Sequence, residues 1–232
     1  MTENTQKHTD IQHTLDKERL IANYNAYPPK WVTPTIQLSV WRPEDREHLF
    51  RYMNMPEIHL FLCGPPFPYT LEDSDFWIAT AFERTSKNGT PLDLCLRDMT
   101  KGGQLIGSIR VADESDENLD GDDVGYWLAP EYRGQGIMTK ALKLMLQELA
   151  IKEFGKRKFN AHTFVDNWSS RRILEKVGFV HQPGRETSVV KNGQTIKMWV
   201  FRMYLREEDM ATREVVEEAV PLSALLDKQQ RK

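Results

Sequence analysis

The run Arg133-Gly134-Gln135-Gly136-Ile137-Met138-Thr139 carries the most chemically specific pattern in this sequence. It follows an alternating apolar segment, Val124 to Ala129, and a break at Pro130, and it leads into a long amphipathic stretch. Closely spaced glycines at a helix start leave backbone N–H groups without intrahelical partners, and such groups bind anionic oxygens. With no Cβ, Gly134 and Gly136 also let a ligand approach the backbone. An ordinary helix-start turn has the same local composition. The run lacks the Lys and Ser/Thr of a P-loop and the third glycine of the dinucleotide pattern. A pyrophosphate held by backbone groups outside both of those folds stays open.

Candidate proton-handling groups lie just upstream. Seven acidic side chains fall between Asp113 and Asp123, directly after the apolar segment Leu105 to Ala112. Such a run is ordinarily a solvated loop, yet Asp113 and Glu114 stand at the strand exit, where a carboxylate can accept a proton or orient a water. Glu114 is slightly favoured. The six histidines, at positions 8, 13, 48, 59, 162 and 181, have no compact ligand spacing, so no metal is expected. His162 reads as a packing or hydrogen-bonding group, with a cleft role also open. Neither Cys63 nor Cys95 has the setting of a nucleophile, and reduced thiols in a cytosolic or nuclear protein are the simpler reading.

The elements that must hold these groups follow from periodicity. Ile36, Leu38 and Val40 alternate as a strand, and Arg42-Pro43-Glu44-Asp45 turns it into a helix containing Leu49, Phe50 and Met53. A helix is expected over 71–84, then strands near Leu92–Leu96 and Leu105–Ala112 about a Gly102-Gly103 turn. Ile137 to Phe154 is the strongest helix, with Met138, Leu142, Met145 and Leu149 on one face. Phe159 to Val165 reads as a strand and Ser169 to Val177 as a short helix ended by Gly178. Asn192-Gly193 marks a tight hairpin between about Glu186–Lys191 and Gln194–Leu205.

This order makes one α/β domain over residues 35–205, after a polar N-terminal extension (1–34) and before a charged, partly helical C-terminal one (206–232). The last stretch either covers the domain or contacts another subunit, so monomer and homodimer both stay open. With 232 residues, 40% hydrophobic and 28% charged, the chain is neither disordered throughout nor fibrous. No run approaches eighteen apolar residues and the first thirty positions hold no apolar signal core, so neither a membrane span nor export is expected. A net charge of −3 gives no reason to expect a nucleic-acid partner.

With the block Asn167-Trp168-Ser169-Ser170-Arg171-Arg172-Ile173-Leu174-Glu175-Lys176-Val177-Gly178-Phe179, the glycine loop resembles the GCN5-related N-acetyltransferase (GNAT) superfamily. It especially resembles the branch of bacterial ribosomal-protein N-terminal acetyltransferases. The resemblance implies an acyl-CoA N-acyltransferase fold, a mixed and mostly antiparallel central sheet flanked by helices. It also implies direct acetyl transfer from acetyl-CoA to a primary amine, a peptide N-terminus being slightly favoured over a small molecule; a catalytically weak acyl-CoA-binding regulatory protein that kept the fold is the remaining alternative.

By the same resemblance, Arg133 to Thr139 would hold the pyrophosphate. Asn167 and Ser170 would meet the pantetheine or pyrophosphate, and Arg172 would assist the 3'-phosphate. Strands Leu105–Ala112 and Val124–Ala129 would splay to admit the pantetheine arm, a backbone N–H near Leu128 serving the thioester oxygen. For Asn167 a plain helix cap is the other reading, and for Arg172 a surface role. Where the family often has an acid for the departing thiolate, seven residues after Asn167, this chain has Leu174. Tyr126 or Ser170 would have to approach from elsewhere.

Overall fold

The computed structural model describes residues 27–88, 91–112 and 121–205. The expected bases Asp113 and Glu114 lie outside the described residues, as do most of the N-terminal extension and the C-terminal one.

The strands are β1 (Lys30–Trp31), β2 (Ile36–Ser39), β3 (Asp93–Asp98), β4 (Gln104–Ala112), β5 (Asp122–Leu128), β6 (Lys158–Phe164), β7 (Val180–His181), β8 (Thr187–Lys191) and β9 (Gln194–Tyr204). Among the described residues they form one sheet in the order β1-β2-β3-β4-β5-β6-β9-β7, with β8 also paired to β9. Every pairing is antiparallel except β5 with β6. The helices are α1 (Arg46–Met53), α2 (Pro56–His59), α3 (Leu71–Asn88), α4 (Ile137–Leu144) and α5 (Trp168–Val177). Helix α1 packs on α3 and α4 on α5. This is the expected mixed, mostly antiparallel sheet flanked by helices. Among the described residues no helix is long and apolar enough to cross a membrane.

The core is built from the apolar faces read in the sequence, including Leu38, Leu96, Ile106, Ile109, Leu142, Met145, Phe159 and Phe201, all buried. One charged group is buried with them. Arg97, 1% exposed, donates from Nε to Ser39 Oγ at 2.7 Å and from one terminal nitrogen to Val40 O at 2.8 Å and Asp45 Oδ2 at 2.7 Å. A guanidinium is tolerated in a dry core only when paired and hydrogen-bonded in this way. The network pins β2 and the turn before α1 to β3.

Two expectations change. The long helix is α-helical only to Leu144 and continues as a π-helix over Met145–Glu153, where Phe154 N–H donates to Leu149 O at 3.1 Å. The buried set there includes the pairs Met145/Ala150 and Leu146/Ile151. Their five-residue spacing suits the wider i→i+5 turn rather than the α-helical stripe expected from Met145 and Leu149.

The second correction concerns the splay. Strands β4 and β5 do not part; they pair from Gly107↔Leu128 to Ala112↔Asp123. It is β5 and β6 that separate, being paired only at Asp122↔Phe159 and Asp123↔Asn160. Each keeps its other partner, β4 for β5 and β9 for β6, so the ladder between them opens as a fork.

Candidate functional site

A cleft of about 780 Å³ occupies this fork. It lies at the C-terminal ends of two parallel strands, where the diverging ladder leaves backbone groups without partners and ligands commonly bind in α/β sheets. Because Ala129 N–H donates to Ile106 O at 2.8 Å, the alternation of an antiparallel ladder turns the N–H groups of Gly125 and Trp127 toward β4. Those of Tyr126 and Leu128 face the opening. The Leu128 carbonyl lies on the same side and accepts Arg133 Nε at 3.1 Å.

The glycine loop forms one wall. Gly134 and Gly136 have φ of +76° and +74°, and a Cβ built on either meets no atom within 4 Å, so the space above both is open. Gly136 is the N-cap of α4 and no side chain caps this end. The first intrahelical bond runs from Lys140 N–H to Gly136 O, so the N–H groups of Ile137, Met138 and Thr139 have no partner within the helix. The Ile137 and Met138 side chains are buried in the core, so these residues can offer a ligand their backbone rather than their side chains. Gln135 does not line the cleft; its amide donates to Glu131 O at 3.2 Å. Arg133 is exposed at the rim and also reaches Glu57 O at 3.2 Å.

Helix α5 supplies the adjoining wall, where Asn167, Ser170, Arg172 and Lys176 line the cleft. Asn167 Oδ1 accepts Ser170 N–H at 3.1 Å, which is the cap geometry, and leaves its NH₂ group as what it can offer a ligand. Arg171 turns away, pairing with Glu175 at 2.9 Å and lying over the Trp168 and Trp199 rings. Tyr126 OH lies 2.7 Å from Ser170 Oγ and donates toward Ser170 O at 3.2 Å. Burial pushes the Tyr126 phenol well above its ordinary pKa, more than the Ser170 hydrogen bond lowers it. It is therefore a proton donor, not an acceptor, near neutral pH. Leu174 is buried in the core and takes no part in the cleft wall.

A pair missed from the sequence stands in the crotch of the fork. Asp123 Oδ1 is 3.1 Å from His162 Nδ1, and both residues line the cleft. Asp123 had counted only as one member of an acidic run. The signal linking it to His162 is tertiary: it needs the parallel register that sets Asp123 beside Asn160, two residues before His162. Among the described residues no group of three or more His, Cys, Asp or Glu side chains could hold a metal ion.

The fold that frames this site is shared with known proteins. The chain is 27% identical over 105 residues to YdaF of Bacillus subtilis, assigned by name as a ribosomal N-acetyltransferase, a match covering 45% of this chain and 56% of that one. It spans about half the length of the curated relatives it matches. Among solved structures, the ribosomal-protein-S5-alanine acetyltransferase of Vibrio fischeri superposes with a TM-score of 0.63 at 18% identity, covering 78% of this chain and 98% of that one. The microcin C7 self-immunity acetyltransferase MccE, solved with acetyl-CoA and AMP, superposes with a TM-score of 0.62 at 21% identity, covering 75% and 94%. At such identities these two likenesses show the fold. Residues 35–180 match the model of the acetyltransferase (GNAT) domain, and the chain belongs to that family.

Proposed function

We propose that this protein transfers the acetyl group of acetyl-CoA directly to a primary amine, with a peptide or protein N-terminal amine favoured over a small molecule. The observation that carries the reading is the fork itself: an open seam between parallel strands, with the Leu128 N–H facing it and an uncapped glycine-loop helix start beside it. The residues present fit the donor. The N–H groups at the start of α4 suit a pyrophosphate, Arg133, Arg172 and Lys176 bring positive charge to the same rim, and the apolar strand walls suit a pantetheine arm. Acetyl-CoA supplies an activated acetyl group as a thioester.

The chain's own groups supply the rest. An N–H fixed in a strand, such as that of Leu128, stabilises negative charge gathering on the thioester oxygen without reorganising. The attacking amine must be neutral, and reference pKa values of about 7.7–8.0 for an α-amine and 10.4 for a lysine make the first easier to deprotonate. The proton would pass to Glu114 or Asp113, as expected from the sequence, or to the Asp123–His162 pair at the crotch. Tyr126, protonated and bonded to Ser170, suits the role of acid for the departing thiolate.

The N-terminal preference rests on the likeness to ribosomal-protein acetyltransferases. A screen of mixed N-terminal peptides and small amines with acetyl-CoA tests it, with thiol release and acetylated products followed by mass spectrometry. Acetylated peptide α-amines are expected. Saturable turnover of a small amine with no terminal-peptide product would overturn the preference, and no product from any amine would overturn the transfer reading.

A further inference from the structure

We infer that the acceptor amine carries an aromatic or long aliphatic group within about one side-chain length of its nitrogen. This rests on the transfer reading above, and it narrows the acceptor by its chemistry. Residues two apart on a strand share a face, so Phe164 stands beside His162 on β6, about 7 Å along the strand. Met198 lies directly across the ladder from Phe164. The Phe61 ring is 6.3 Å from the Phe164 ring, and the Cys63 and Met198 sulfurs are 3.9 Å apart. Phe61, Leu62, Cys63, Phe164 and Met198 all line the cleft together with Asp123 and His162. The acid–base pair is thus bordered, one strand step away, by a continuous apolar wall.

That wall discriminates among amines. A serine or alanine terminus would leave it wet. A polyamine would have to lay a second ammonium against Phe and Met, which costs desolvation without a partner. Lys191, outside the cleft lining, braces this wall from behind: its Nζ stands 5.8 Å from the Phe164 ring centre and donates to the carbonyls of His59, Leu60 and Leu62. A first residue such as Phe, Met or Leu, or a small arylalkylamine, fills the wall and keeps a single charge at Asp123 and His162.

The test uses the full chain with acetyl-CoA and two arms of acceptors. One arm is a set of peptides with a common tail and Phe, Met, Leu, Ala, Ser or Gly first; the other is phenethylamine against spermidine. In whichever arm turns over, kcat/KM for the apolar amines is expected to exceed the others by about tenfold or more, the scale on which a hydrophobic pocket discriminates. Met198→Ser and Phe61→Ser, both at half-buried positions, should each raise KM for the apolar acceptor about tenfold. Acetyl-CoA affinity, read by calorimetry, should not change in either. Equal or faster turnover of Ser, Ala or Gly peptides or of spermidine overturns the inference, as does an unchanged KM in both variants. Absence of acetylated product from every amine overturns the transfer reading, and this inference with it.

Discussion

Along one side β5 is paired with β4 from Asp123 to Leu128, whereas along the other it is paired with β6 only at Asp122 and Asp123. The closed seam is unusually tight. A Cβ on Gly107 would stand 2.6 Å from Trp127 O and 3.3 Å from Leu128 Cα, so only glycine admits this approach. The open seam presents the Leu128 N–H and, at its crotch, the Asp123–His162 pair. The two seams share one strand, and rigidity on the β4 side is what fixes the direction of the dipole offered on the β6 side.

Two charged pairs, one in the core beneath β2 and β3 and one at the open seam, differ in the same sense. Arg97 and Asp45 are 1% and 4% exposed and fully engaged with neighbours, while His162 and Asp123 are 21% and 36% exposed and face a cleft. The first pair holds structure, and the second is available to a ligand.

The largest effect should come from forcing the closed seam. Gly107→Val is expected to destabilise the fold by about 3 kcal/mol, the upper range for overpacking, and to abolish transfer. An unaltered denaturation midpoint would break the contrast between the seams. Next, His162→Gln should lower kcat about a hundredfold with little change in stability. A parent-like kcat would return the proton-accepting role to Asp113 or Glu114.

Tyr126→Phe should cost about tenfold in kcat, at or below the low end of acid catalysis because a thiolate departs readily. Since burial raises that phenol's pKa, it stays protonated through neutral pH, and the profile should fall without changing shape. A shift of either limb would argue against Tyr126 as donor. The smallest effect is expected from Lys191→Met, about 1 kcal/mol of stability from the lost bonds to the 59–62 turn. The KM of an apolar acceptor should rise modestly as that wall loosens, and an unchanged value would assign Lys191 to stability alone.

The uncapped glycine-loop helix start was legible in the sequence because its determinants are local: an alternating strand, a proline break, two glycines and an amphipathic helix in succession. The hairpin was legible for the same reason, and β8 and β9 do join through Asn192-Gly193, in the register Lys191↔Gln194. Other features depend on partners distant in sequence. The parallel register that creates the fork joins strands more than thirty residues apart, and no periodicity within β5 says which neighbour it will leave. Asp123 therefore looked like loop charge and His162 like packing. The π-helical half of the long helix escaped because Met145 and Leu149 satisfy an α-helical stripe, while the five-residue pairs show only once burial is known. For Asn167 both readings remain, since its oxygen caps α5 while the residue lines the cleft.

The central claim is that the open seam and its glycine-loop wall hold acetyl-CoA. Its most direct test is calorimetric titration of the full chain with acetyl-CoA, comparing the parent with a Gly136→Val variant whose fold is verified by circular dichroism. Gly136 has positive φ and open space above it, so a branched side chain both strains the turn and intrudes on the cradle. Saturable binding by the parent and a loss of about a hundredfold or more in the variant are expected. Equal affinity in the two proteins, or no binding by the parent, would contradict the assignment.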